Sequence, residues 1–216
     1  MKINSLTIDS TNTISDLCLL GKKYPTDKSP YSKEDNGSGH NHAYTAIYDL
    51  LFASARYKEI KIAEIGILNN MSMLCWRDYF PHAKLFGFEY DLGYLENGKS
   101  ANLNNTVYDF INITDKISIE KCMVDYGKFD IIIEDSTHRF EDQIRFIDVA
   151  HKYLNPGGIL IIEDIFKSED ENRYSNNIMH IRDYYSTITF INADHELKKS
   201  PGWNNDKLLV LIRNDK

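Results

Sequence analysis

The chain has 216 residues, enough to bury a substantial core as one domain without disulfide or metal staples. Hydrophobic residues make up 42% and charged residues 26%, which excludes a mainly disordered or collagen-like chain. Its 25 Lys and Arg stand against 32 Asp and Glu, a net charge of -7 that opposes sequence-independent nucleic-acid binding.

No apolar run approaches the roughly 18–20 residues of a membrane span. The N-terminal stretch MKINSLTIDSTNTISDLCLL interrupts its apolar positions with Asn, Asp, Ser and Thr, unlike a secretory signal. The expectation is a cytoplasmic protein with no membrane partner. Cys18, Cys75 and Cys122 are far apart and fit neither a disulfide framework nor a CxxC pair, so they read as reduced packing residues. Residues 25–42, PTDKSPYSKEDNGSGHNH, form a polar, Pro- and Gly-containing stretch that reads as a lid over a binding site. Over residues 43–56, Tyr44, Ile47, Tyr48, Leu51, Phe52 and Ala55 recur at helical spacing and mark one apolar face.

From Lys61 onward come seven strand-length runs: KIAEIGI, LFGFEYD, VYDFI, FDIIIED, GILIIED, STITFI and KLLVLI. Several are apolar at nearly every position and are separated by segments long enough for crossover helices. This predicts an α/β fold, a Rossmann-like doubly wound sheet of seven strands, mostly parallel, with helices on both faces. Only a turn-rich loop around Pro201 and Gly202 joins the last two runs, so the last strand pairs antiparallel. The expected organisation is a single domain, with residues 1–57 as a helical or lid segment and 58–216 as the core.

Ligands of such sheets bind beyond the carboxyl ends of the strands, and here those ends are acidic. Gly66 closes the first run in a strand-turn-helix arrangement. Glu89 follows about twenty residues later, the separation at which a carboxylate meets the ribose hydroxyls of an adenosine cofactor. Two of the three glycines of GxGxxG are missing and no GxxxxGK[ST] loop is present, which disfavours a pyrophosphate ligand. Asp135, Glu163 and Asp164 end neighbouring runs and would repel one another unless a cation held them. Carboxylate ligation points to Mg²⁺ or another hard divalent cation rather than zinc. His138, three residues after Asp135, is a candidate base, since imidazole titrates at about 6.5. Capping helices or pairing with Lys167 and Arg139 is the plain structural alternative for the acids.

These residues resemble the class I S-adenosylmethionine-dependent methyltransferases, specifically the macrocin O-methyltransferase-like and cephalosporin-hydroxylase-like sugar methyltransferases. Pro25-Thr26-Asp27-Lys28 looks like their Gly-Thr-Asp-Lys stretch, and His42, Tyr44 and Tyr48 look like their His-x-Tyr-x-x-x-Tyr helix start. Glu64-Ile65-Gly66, Glu134 to His138, and Pro156-Gly157-Gly158 through Glu163-Asp164 match three further motifs. The resemblance implies S-adenosylmethionine and Mg²⁺ as cofactors. It places Thr26, Tyr44, Glu64, Gly66, Ser72, Glu89, Asn112 and Asp135 at the cofactor, and Asp135, Glu163 and Asp164 at the metal. His138, assisted by Asp135, would be catalytic. It further implies a homo-oligomer and a sugar hydroxyl of a vicinal diol as acceptor. The chain departs from the pattern at Asn69-Asn70, where Gly-Gly is usual, at Asn112, where an acid is common, and at Glu89, where Asp is general. A catechol-type O-methyltransferase, a nicotinamide-dependent oxidoreductase and a non-catalytic nucleoside-binding subunit are the alternatives.

Overall fold

The computed structural model describes residues 3–32 and 39–215. Eight strands form one sheet in the order β1-β7-β8-β6-β5-β2-β3-β4. They are β1 (Asn4–Asp9), β2 (Lys61–Ile65), β3 (Lys84–Glu89), β4 (Thr106–Phe110), β5 (Phe129–Glu134), β6 (Leu154–Ile162), β7 (Tyr185–Asp194) and β8 (Lys207–Arg213). All pairings are parallel except those of β8, which runs antiparallel to both β6 and β7. The doubly wound sheet and its antiparallel last strand agree with the sequence.

The strand count does not: β1 is an eighth, paired in parallel with β7 from Asn4↔Thr189 to Asp9↔Asp194. The segment read as helical or lid therefore begins with a strand. Its side chains are largely exposed, it is held at the sheet edge by main-chain hydrogen bonds, and its apolar alternation is limited to Leu6 and Ile8.

Central strands show the period of two that a sheet buried on both faces requires. Ala63, Ile65, Ile132, Leu160, Ile162, Leu209 and Leu211 enter one core, while Ile62, Ile131, Ile133, Ile161, Leu208 and Val210 enter the other. The first core is closed by α5 (Lys116–Tyr126), α6 (Phe140–Ala150) and α7 (Glu171–Asn177), through Ile119, Met123, Phe146, Ile147 and Tyr174. The second is closed by α1 (Asp16–Lys23), α2 (Thr45–Phe52) and α3 (Met71–Tyr79), through Leu17, Ile47, Tyr48, Met73 and Trp76. Helix α4 (Leu92–Ser100) starts at Asp91, whose Oδ1 accepts from the Gly93 and Tyr94 amides. The three cysteines are buried and free. Among the described residues, no helix is long and apolar enough to cross a membrane.

β2 sits between β3, reached by a crossover in one direction, and β5, from which the chain winds the other way. From this switch point the chain after β2 runs to α3 on one face and the chain after β5 to α6 on the other, and a crevice opens beyond the strand ends.

Candidate functional site

A cavity of about 480 Å³ opens at this switch point, within the usual range for small-molecule sites. One half is walled by Gly66, Leu68, Ser72, Glu89, Tyr90 and Asn112, the other by Thr26, Asp27, Lys28, Asp135, His138 and Asp164.

Gly66 has φ +88°, and a Cβ there would meet the Asp135 backbone, 2.8 Å from its carbonyl carbon and 2.9 Å from the Ser136 Cα. Glycine thus lets the turns after β2 and β5 touch. Asn70 has φ +69° at the start of α3, and its Oδ1 accepts from the Tyr108 hydroxyl at 2.8 Å. Asparagine tolerates left-handed backbone, so Asn70 makes this turn without a glycine.

Glu89 is more than a wall residue. Oε2 accepts from the amides of Ile67 and Leu68 at 2.9 and 3.1 Å, and Oε1 from those of Tyr90 and Asp91 at 2.8 and 3.0 Å. One carboxylate therefore ties the turn after β2 to the turn after β3, at the base of this half of the cavity.

At the other half, Asp135, His138 and Asp164 each offer a ligand atom, all within 4.8 Å of one another. His138 Nδ1 is 3.9 Å from Asp135 Oδ1, and Nε2 is 3.7 Å from Asp164 Oδ2. His138 and Asp164 both hold left-handed backbone, φ +56° and +58°, an uncommon conformation for non-glycine residues that gathers at functional sites. His138 Nδ1 is buried without a hydrogen-bond partner. An imidazole nitrogen left open beside two carboxylates fits a divalent cation or an acceptor hydroxyl.

Three residues proposed from the sequence do not line the cavity. Tyr44 is fully buried, and its hydroxyl donates to Asp164 Oδ1 at 2.7 Å and to the Asn205 carbonyl at 3.1 Å. It supports Asp164 from below instead of meeting a cofactor. Glu64 accepts from the Trp76 indole at 2.6 Å. Glu163, 1% exposed, turns away from Asp164 to accept from the Tyr48 hydroxyl at 2.6 Å and from Lys28 Nζ at 3.0 Å. Thr26, Gly66, Ser72, Glu89, Asn112, Asp135, His138 and Asp164 are brought together around one cavity.

Lys28 and His42 carry charge into the site, and neither was singled out from the sequence. Lys28 Nζ pairs with Asp135, with Glu163 and, at 3.3 Å, with Glu64. Burial works against its charge, but these carboxylates hold the ammonium well above its ordinary range. Burial, with repulsion from Asp164, pushes the Asp135 carboxyl up, and burial, with repulsion from Asp135 and Asp164, does the same to Glu163. His42 Nδ1 lies 2.9 Å from Asp206 and Nε2 3.5 Å from Asp164. Burial opposes its charge too, yet Asp164 and Asp206 raise it to about 9. Both residues lay inside quoted motifs, but their roles depend on acids distant in the chain, most of them more than a hundred positions away. Of the expected lid, residues 33–38 lie outside the described residues. Thr26 to Lys28 reach the cavity, and Asn41 exchanges two backbone hydrogen bonds of 2.8 Å with Lys199.

No family model matches the chain. It is 25% identical over 164 residues to an 8-demethyl-8-(2-methoxy-alpha-L-rhamnosyl)-tetracenomycin-C 3'-O-methyltransferase of Streptomyces olivaceus, a match covering 73% of this chain and 38% of that protein. It is 26% identical over 135 residues to the demethylmacrocin O-methyltransferase of Streptomyces fradiae, covering 59% and 33%. The chain thus spans little more than a third of these relatives' length. Among solved structures it is similar to the MycE methyltransferase of the mycinamycin biosynthetic pathway, in complex with Mg, SAH and mycinamycin VI. The TM-score is 0.67 at 17% identity, over 94% of this chain and 55% of that one.

Proposed function

From this kinship with sugar O-methyltransferases, whose fold the chain shares, we propose that it transfers a methyl group from S-adenosylmethionine to a hydroxyl of a sugar carrying neighbouring hydroxyls, with help from a divalent cation. The observation that carries this is one strand-end cavity joining a half based on Gly66 and Glu89 to a carboxylate-imidazole half of Asp135, His138 and Asp164.

Methyl transfer from a sulfonium is an in-line displacement, and the protein contributes chiefly alignment and an activated nucleophile. Glu89 fixes the two turns that border the cofactor half, and as the acid at the end of β3 it is the residue assigned to the ribose hydroxyls. Ser72 and Asn112 wall the same half. Asp135 and Asp164 would hold the divalent cation. When bound, such an ion stabilises a developing alkoxide and orients a diol. His138 takes the acceptor's proton on its imidazole, and Asp135 and Asp164 stabilise the imidazolium. Tyr44 and Tyr48 hold the acids in place by donating to Asp164 and Glu163.

Calorimetry and methyl-transfer assays test this. The protein should bind S-adenosylmethionine and S-adenosylhomocysteine, but not NAD or ATP with comparable affinity. It should methylate glycosylated small molecules, with transfer lost in excess chelator while cofactor binding persists. Tight NAD binding would replace the cofactor, full activity in chelator would remove the metal, and preference for free catechols would replace the sugar.

A further inference from the structure

Lys28 is an unusual residue to find 2% exposed at a cluster of acids. Its ammonium has three N–H donors, and three carboxylates meet it: Glu64 Oε1 at 3.3 Å, Glu163 Oε2 at 3.0 Å and Asp135 Oδ2 in closest contact. The other oxygens of the two glutamates are occupied, by the Trp76 indole and the Tyr48 hydroxyl. Nζ thus sits where three carboxylate oxygens converge, the kind of surroundings a hard cation takes. Asp135 belongs to two sets at once, with Oδ2 on Lys28 and Oδ1 toward His138.

The lysine is also firmly tethered. Its carbonyl accepts from the Tyr44 and Thr45 amides at 3.0 and 3.2 Å, at the start of α2. Only the side chain is free to yield. We propose that Lys28 is a tethered cation that competes with a divalent ion for Asp135 and so sets how tightly the ion is held. This rests on the metal-dependent reading above.

Two consequences separate the proposal from a purely structural role. A lysine that merely scaffolds the acids would, on removal, let them splay and weaken ion binding. A competing lysine would, on removal, leave Asp135 and its neighbours short of one positive charge and tighten it. The sign of the change decides.

The experiment is calorimetric titration of the full chain with Mn²⁺, in the absence of cofactor and acceptor, for the parent, Lys28→Met and Lys28→Gln, with folding followed by circular dichroism. The expected result is a Mn²⁺ dissociation constant at least ten-fold lower in both variants. If a variant is unfolded in chelator, Mn²⁺ should refold it, because the ion replaces the missing ammonium among the carboxylates. An unchanged or weaker dissociation constant overturns the proposal, as does a variant that stays unfolded with Mn²⁺. If neither the parent nor either variant binds Mn²⁺, the metal-dependent reading fails and takes this inference with it. A parent that binds Mn²⁺ beside variants that bind it no better removes the inference alone.

Discussion

The Cα of Gly66, at the end of β2, packs so closely on Asp135, after β5, that a Cβ there would overlap the Asp135 carbonyl oxygen. The two turns framing the cavity therefore bear on each other through bare backbone. Replacement by alanine meets both that clash and the left-handed φ of +88°. Gly66→Ala should cost about 2–4 kcal/mol and displace Asp135. Chemical denaturation checks the stability, and a variant as stable as the parent would mean that the turns separate freely.

Glu89 binds four main-chain amides, so its removal should be felt without any ligand. Glu89→Ala is expected to lose on the order of 1–3 kcal/mol of stability, charge-assisted hydrogen bonds being the stronger kind. S-adenosylhomocysteine affinity should fall by a similar amount. Melting curves with and without S-adenosylhomocysteine separate the two effects. A normal melt with lost affinity would make Glu89 a ligand contact alone.

For His138 the informative replacement is asparagine, which tolerates the φ of +56° while removing the base. His138→Asn should remain folded, bind the cofactor as before and lose about 10²–10⁴ in methyl-transfer rate. Single-turnover assays measure it. A variant within a few-fold of the parent would send the proton elsewhere.

His151 lies away from the cavity, at the end of α6, 8% exposed beside Tyr184. Burial lowers its imidazole to about 4 from 6.5, aided by Lys152, His180 and Arg213. The unfolded chain therefore binds a proton at pH values where the folded one does not. The sign follows: stability is full above about 6.5 and is lost progressively as pH falls toward about 4. Between pH 7.5 and 5.0 the parent should lose about 1–2 kcal/mol more than His151→Gln. Denaturation midpoints at both values decide it, and equal losses would clear His151 of any part in acid sensitivity.

The central strands could be read from the chain because a sheet covered on both faces needs apolar residues at successive positions, as in Ile131, Ile132 and Ile133. Gly66, Glu89, Asp135 and Asp164 could be found because strand ends and the turns after them are local features. The edge strand β1 escaped, since it is held by main-chain pairing and only Leu6 and Ile8 mark it in the side-chain pattern. The charge arrangement escaped for a different reason. Lys28 is 135 positions from Glu163 and His42 is 164 from Asp206, and nothing local says which acid will face which base. The adjacent Glu163 and Asp164 read alike as metal acids, but successive residues leaving a strand point to opposite sides. Once the sheet was assembled, Asp164 faced the cavity and His138, while Glu163 met Tyr48 and Lys28 in the interior. Composition and spacing determined that acids would gather at the strand ends. Only tertiary packing decided which cation each would meet, because burial makes an unpaired charge too costly to leave and the available partners come from whichever segments the fold brings alongside.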